Sequence, residues 1–193
     1  MVKRLYDWLM ALAQGRYAVP ALALVAFAES SFFPLPPDLL LAPMALAKPR
    51  ASWGYAAVAT LASVAGGALG YWIGAALYDS VGLWLIHLYG YQDRIAALKQ
   101  TYADWGAWVI LLKGLTPIPY KLVTIVSGLL GYPFWTFIGL SLVTRGARFF
   151  IVAGALHRWG DTLRGALERH FAAILAASLA IVVVGFYLAV KVF

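Results

Sequence analysis

Two carboxylates and three prolines crowd the run Glu29-Ser-Ser-Phe-Phe-Pro-Leu-Pro-Pro-Asp38, yet the flanks Tyr17 to Ala28 and Leu39 to Ala47 carry no charge at all. No continuous helix can pass through Pro34, Pro36 and Pro37. Proline has no amide donor, its ring clashes with the preceding turn, and it drives the residue before it out of helical geometry. In hydrocarbon the freed backbone groups must be satisfied by protein or water, so such a break belongs in a protein-lined cavity. An ionisable side chain at membrane depth marks a functional site, and this run offers Glu29 and Asp38. The expected object is a broken or re-entrant hairpin over 17–47 that points its acids inward.

A second run has the opposite charge. Lys113-Gly-Leu-Thr-Pro-Ile-Pro-Tyr-Lys121, continuing to Ser127-Gly128, interrupts the apolar flanks Trp105 to Leu112 and Leu122 to Val126 with Gly114, Pro117 and Pro119. Two interrupted apolar segments in corresponding positions point to a transporter binding site. The two hairpins, 17–47 and 105–130, are expected to face each other. Their prolines and glycines, Gly128 included, shape the hairpins and do not contact substrate.

The chain is 193 residues long, 63% hydrophobic and only 12% charged. Soluble domains average about 25% charged and 45–50% apolar, so the composition is that of a single-domain integral membrane protein. Having no cysteine, it can build neither disulfides nor thiolate metal sites. The net charge of +7 reads as basic cytoplasmic loops beside anionic lipid, not as a nucleic-acid surface.

Along the chain, residues 3–14 read as an interfacial amphipathic helix, with Leu5, Trp8, Leu9 and Leu12 opposite Lys3, Arg4 and Asp7. Ala26-Phe-Ala28 resembles a signal-peptide cleavage site, but the charged, proline-bearing stretch that follows reads as built in. The span 52–78 carries Ala62, Gly66, Gly70 and Gly74 at four-residue spacing, a ladder that lets another backbone approach. Residues 79–104 mix charges and aromatics as an interfacial connector. A second span, 134–156, holds Arg145 and Arg148 on one face, directed to the interior, and an apolar helix is expected over 171–193. With both hairpins re-entrant, Lys3, Arg4, Arg16, Lys48, Arg50, Arg158, Arg164 and Arg169 fall on one side, against Arg94, Lys99 and Lys191. The richer side is cytoplasmic. The expected fold is an all-α polytopic membrane protein with an inverted-repeat-like order.

Glu29…Phe33-Pro34…Pro37-Asp38 and Lys113-Gly…Pro117…Lys121…Ser127-Gly128 resemble the acidic and basic hairpins of the DedA family of bacterial inner-membrane proteins. That family shares the domain of the eukaryotic SNARE-associated Golgi, or VTT, membrane proteins. The resemblance covers nearly the whole chain and looks closest to the short YqaA-like branch. The sequence departs from many members, which have more closely spaced arginines where Lys113 and Lys121 stand and a longer gap between the acids. What the resemblance implies is two facing re-entrant hairpins, translocation of lipid and, for several bacterial members, return of undecaprenyl phosphate to the cytoplasmic leaflet.

The chemistry of the charged residues admits two readings. Glu29 and Asp38 are either structural partners of Lys113 and Lys121, because buried charges need pairing, or proton acceptors that couple substrate movement to a gradient. Lys113, Lys121, Arg145 and Arg148 together form a candidate site for a lipid phosphate, the arginines offering bidentate forks. A bound phosphate would compete with the acids for these cations. No hydrolase, zinc-protease or nucleotide-binding motif occurs, and His87, His157 and His170 are scattered, so no enzyme, cofactor or metal is expected. A hydrolase using the two acids is the remaining enzymatic alternative. The expected partners are membrane lipids and a polyprenyl-phosphate or phospholipid substrate, with room for a homo-oligomer. A proton-coupled small-ion carrier, a broad lipid scramblase and a purely structural membrane protein stand beside the flippase reading.

Overall fold

The computed structural model of the chain describes residues 15–31, 36–78, 92–115, 120–160 and 180, with side chains from 97 to 112 in the third segment. The expected helices at 3–14 and 171–193, the connector before residue 92, and Pro34, Pro117 and Pro119 lie outside the described residues. So do the side chain of Lys113 and the surroundings of Gly114.

Among the described residues every regular element is helical. Helix α1 (Ala18–Ser31) and helix α2 (Asp38–Ala47) flank the proline run. A single 3-10 turn, Pro49–Ala51, leads into α3 (Ser52–Leu77). Helices α4 (Gln92–Leu115) and α5 (Tyr120–Leu129) flank the second interruption, and α6 (Phe134–Gly160) closes the described chain. Helix α4 runs unbroken across positions 104 and 105, so the end of the connector and the first arm of the second hairpin form one element. At 1.5 Å per residue, α3 and α6 reach about 40 Å and can cross a core about 30 Å thick. Helices α1, α2 and α5, of 14, 10 and 10 residues, cannot.

Local sequence explains where these helices stop. Pro37 precedes α2 in helical geometry (φ −65°, ψ −17°). It lacks a donor where none is needed, while its carbonyl accepts from Leu40 (3.0 Å) and Leu41 (2.9 Å). The end of α5 is a Schellman turn: Tyr132 N donates to Ser127 O (2.9 Å) and Gly131 N to Gly128 O (3.1 Å). Gly131 takes the left-handed conformation this requires, φ +71°. Pro133 then starts α6, its carbonyl accepting from Phe137 N at 2.9 Å.

Helix α3 is the axis on which the rest is assembled. It lies antiparallel to α6: Trp53 stacks on Phe150 at one end, and Tyr71 packs on Phe134 and Phe137 at the other. Helices α1 and α2 cover its first half, where Ala18, Leu22, Leu40, Leu41 and Met44 join Tyr55, Ala56 and Ala59 in one apolar cluster. Helix α5 covers its second half. The glycine ladder makes both contacts close. A Cβ on Gly66 would strike the Phe27 carbonyl of α1, and one on Gly74 the Ile125 carbonyl of α5. Gly70 between them backs onto Thr124 and Ser30, and Gly128 of α5 returns the contact against the Tyr71 carbonyl. Gly128 therefore sets helix packing as well as hairpin shape. Such contacts between small residues are what allow helices to associate in lipid. Outward-facing Leu61, Trp72, Val143 and Ile151 are each more than half exposed, as expected of a lipid-facing surface.

Candidate functional site

Arg145 occupies the middle of α6, opposite the middle of α3 and the end of α1. Its Nη2 donates to Glu29 Oε2 at 2.6 Å and its Nε to Ser63 Oγ at 2.5 Å. Ser63 Oγ lies 2.6 Å from Ser30 Oγ, which in turn reaches Ala26 O (3.0 Å) and Glu29 Oε2 (3.2 Å). With Ser63 accepting from the arginine, its own proton falls to Ser30, and Ser30's to Ala26 O or the carboxylate. When Ser30 donates to the carboxylate, Glu29, Arg145, Ser63 and Ser30 close into a ring. The guanidinium carbon lies over the rings of Tyr120 and Phe149, 4.8 Å from each centroid. Arg145 is 2% exposed and Glu29 17%.

The second pair lies nearer the surface. Arg148, on the same face of α6, donates from Nη2 to Asp38 Oδ2 at 2.7 Å; the side chains are 38% and 30% exposed. Asp38 is the first residue of α2, where the helix dipole favours a carboxylate. Its other oxygen, Oδ1, is buried and accepts no hydrogen bond among the described residues.

The two acids face cations, and the described cations are arginines of α6 where lysines of the second interruption were expected. Among the described residues Glu29 and Asp38 pair with Arg145 and Arg148, not with Lys121, because α6 and not α5 presents its charged face to the first break. Lys121 is half-buried at the start of α5 and pairs with no described carboxylate. The second break still joins the site, through Tyr120, the residue before Lys121. Sequence reasoning assigned no role to Tyr120, Ser30, Ser63 or Phe149. A signal was present for the serines alone: Ser30 adjoins Glu29, and Ser63 is a polar interruption in the small-residue span.

What this geometry can do is hold two carboxylate–guanidinium pairs at the depth where α1 and α2 break. One pair is enclosed. The other is open enough for an anion to compete. Among the described residues no cluster of His, Asp and Glu suits a metal ion.

A family model of the VTT domain matches residues 35–158. The chain belongs to this family, also called DedA, a membrane-associated and transporter-like group, and its two long apolar helices accord with a membrane protein. It is 35% identical over 187 residues to an uncharacterized protein of Haemophilus influenzae, covering 97% of this chain and 96% of that one. An uncharacterized protein of Histophilus somni matches at 35% over 187 residues, covering 97% of each. No solved structure matches.

Proposed function

We propose that this protein carries a phosphate-headed lipid between membrane leaflets, with undecaprenyl phosphate as the expected substrate and protons as the coupling ion. The observation that carries the reading is the pairing of two carboxylates with two arginines at a helix break opposite the middle of α3. With Glu29 and Asp38 matched by Arg145 and Arg148, Lys121 keeps a charge that no carboxylate among the described residues balances, and Lys113 brings a second positive charge to the same interruption. A lipid phosphate of about −1.5 to −2 would balance them, if it titrates like a phosphorylated side chain. Exchange would begin at the open pair: phosphate takes Arg148, and Asp38, released, takes up a proton. The enclosed pair fits the structural reading better and acts as the lock that keeps α1 against α6. We read the protein as a transporter and not an enzyme, since each acid is matched by an arginine in a way that suits exchange of anions.

The membrane topology we infer has two opposed half-membrane hairpins in an inverted arrangement. Three contacts support it. Ser30 at the end of α1 meets Ser63, near the midpoint of α3. Tyr120 at the start of α5 meets Gly67, about one turn further along. Lys99 of α4 covers Tyr78 at the far end of α3, 3.8 Å from the ring centroid. Each hairpin thus approaches the middle from its own side. Arg16, Lys48, Arg50 and Arg158 gather at the other end, where His157 Nδ1 lies 2.9 Å from Pro49 O. That end would be cytoplasmic by the positive-inside rule, in a bacterial inner membrane. Assignment to the short YqaA-like branch rests on the two hairpin motifs and on relatives of nearly equal length.

The test is transport in sealed vesicles containing undecaprenyl phosphate, with and without a pH gradient. The expected result is movement of the phosphate lipid, accelerated by the gradient and abolished in Asp38→Asn. Passage of small ions alone would favour the ion carrier, and no passage at all the structural reading.

A further inference from the structure

Beside Arg145 lie two buried hydroxyls, Tyr120 Oη and Ser141 Oγ, in residues 3% and 0% exposed, and neither has a hydrogen-bond partner among the described residues. They are neighbours, Ser141 lying within reach of the Tyr120 phenol without a well-formed hydrogen bond between them. The Tyr120 hydroxyl is seated against Gly67, where a Cβ would come within 3.0 Å of it, so the small residue on α3 makes room for this end of the ring. Arg145 itself donates to Ser63 and to Glu29. Unsatisfied buried polar groups are rare and carry a penalty of about 1–3 kcal/mol each. Here two gather beside one guanidinium, and each has an O–H to give. Two uncommitted O–H groups beside a cation suit an occupant made of acceptors.

We propose that Tyr120, Ser141 and Arg145 form a seat for an oxygen of a tetrahedral oxyanion, reached when the headgroup moves inward from the Arg148–Asp38 pair. The inference rests on the phosphate-lipid reading and extends it, by naming a second and deeper station for the headgroup at the level where the two hairpins approach. The tyrosine serves twice. Its ring faces Arg145 and its hydroxyl reads the anion, so the second hairpin senses what the arginine holds.

Tyr120→Phe separates these roles, because it keeps the ring on the guanidinium and removes only the hydroxyl. The protein, in nanodiscs, is titrated with undecaprenyl phosphate, with the uncharged alcohol, and with inorganic phosphate; thermal unfolding is followed in parallel. Loss of one hydrogen bond to a charged group should weaken binding of the lipid phosphate roughly tenfold, with binding of the alcohol unchanged. The unfolding temperature should hold or rise, since the hydroxyl removed has no partner among the described residues. Ser141→Ala should act in the same direction and serves where Tyr120→Phe does not fold. Weakening of inorganic phosphate binding in step with the lipid shows that the seat reads the oxyanion itself. Weakening for the lipid alone shows that the tail is needed to bring it there. Wild-type affinity for the lipid phosphate in both variants overturns the seat. So does an equal loss for phosphate and alcohol accompanied by a lower unfolding temperature, which marks a merely structural tyrosine. Failure of the wider reading looks different: the wild type itself then fails to distinguish phosphate from alcohol.

Discussion

The two ion pairs of this protein use the same chemistry, lie three residues apart on one helix, and are built for opposite ends. Arg145–Glu29 is largely closed off from solvent, placed against two aromatic rings and linked to two serine hydroxyls. Arg148–Asp38 is about one-third exposed, and one carboxylate oxygen has no described partner. An enclosed pair is difficult to dissociate, because either charge left alone in a low-dielectric interior is strongly disfavoured. A pair at the rim is worth little and can exchange. One turn of helix therefore separates a part that holds the fold from a part free to work.

The largest effect should come from breaking the enclosed pair. Arg145→Ala strands Glu29 and should destabilise the protein by about 3–5 kcal/mol, read as loss of folded protein in detergent or a steep fall in unfolding temperature. Arg145→Lys should be only partly better. A single ammonium cannot reproduce the fork to Glu29 and Ser63 or the contact of the planar guanidinium with the rings of Tyr120 and Phe149.

Next in size is Gly66→Ala. Its Cβ would strike the Phe27 carbonyl, two residues before Glu29, and must push α1 from α3. An overpacked contact of this kind costs about 1–3 kcal/mol. It should loosen the Glu29 pair in particular, whereas Gly139→Ala, with nothing within 4 Å, should leave unfolding unchanged.

The smallest effect on stability belongs to the rim pair. Asp38→Asn should shift unfolding by about 0–1 kcal/mol, and yet it should abolish transport in vesicles. A stability loss equal to that of Arg145→Ala would erase the contrast between the pairs.

Much of this arrangement was legible in the sequence, and the reasons are local. Proline chemistry marked the break before Asp38, the span expected at 52–78 is α3 at Ser52–Leu77, and glycines at four-residue spacing announced its close contacts. The three-residue spacing of Arg145 and Arg148 placed both on the inward face. Their choice of partner was not legible. Lys121 and the arginines are equally positive in a sequence, and only the antiparallel docking of α6 on α3 brings the arginines to the acids. Tyr120 was hidden for a related reason. Its neighbour Lys121 carries the charge that draws notice, but the first turn of α5 directs the tyrosine ring to Arg145 and leaves the lysine half-buried. The start of α4 was hidden differently: the charges of 92–104 read as a separate connector, and the helix continues through them.

If Asp38 and a lipid phosphate compete for Arg148, removing the competitor must tighten binding even as it stops transport. The measurement is the affinity of Asp38→Asn for undecaprenyl phosphate in nanodiscs against that of the wild type, with the uncharged alcohol as the control. The account predicts tighter phosphate binding, by up to about fivefold if the rim pair is worth about 1 kcal/mol, and no change for the alcohol. Phosphate binding that is unchanged or weaker in Asp38→Asn would contradict it.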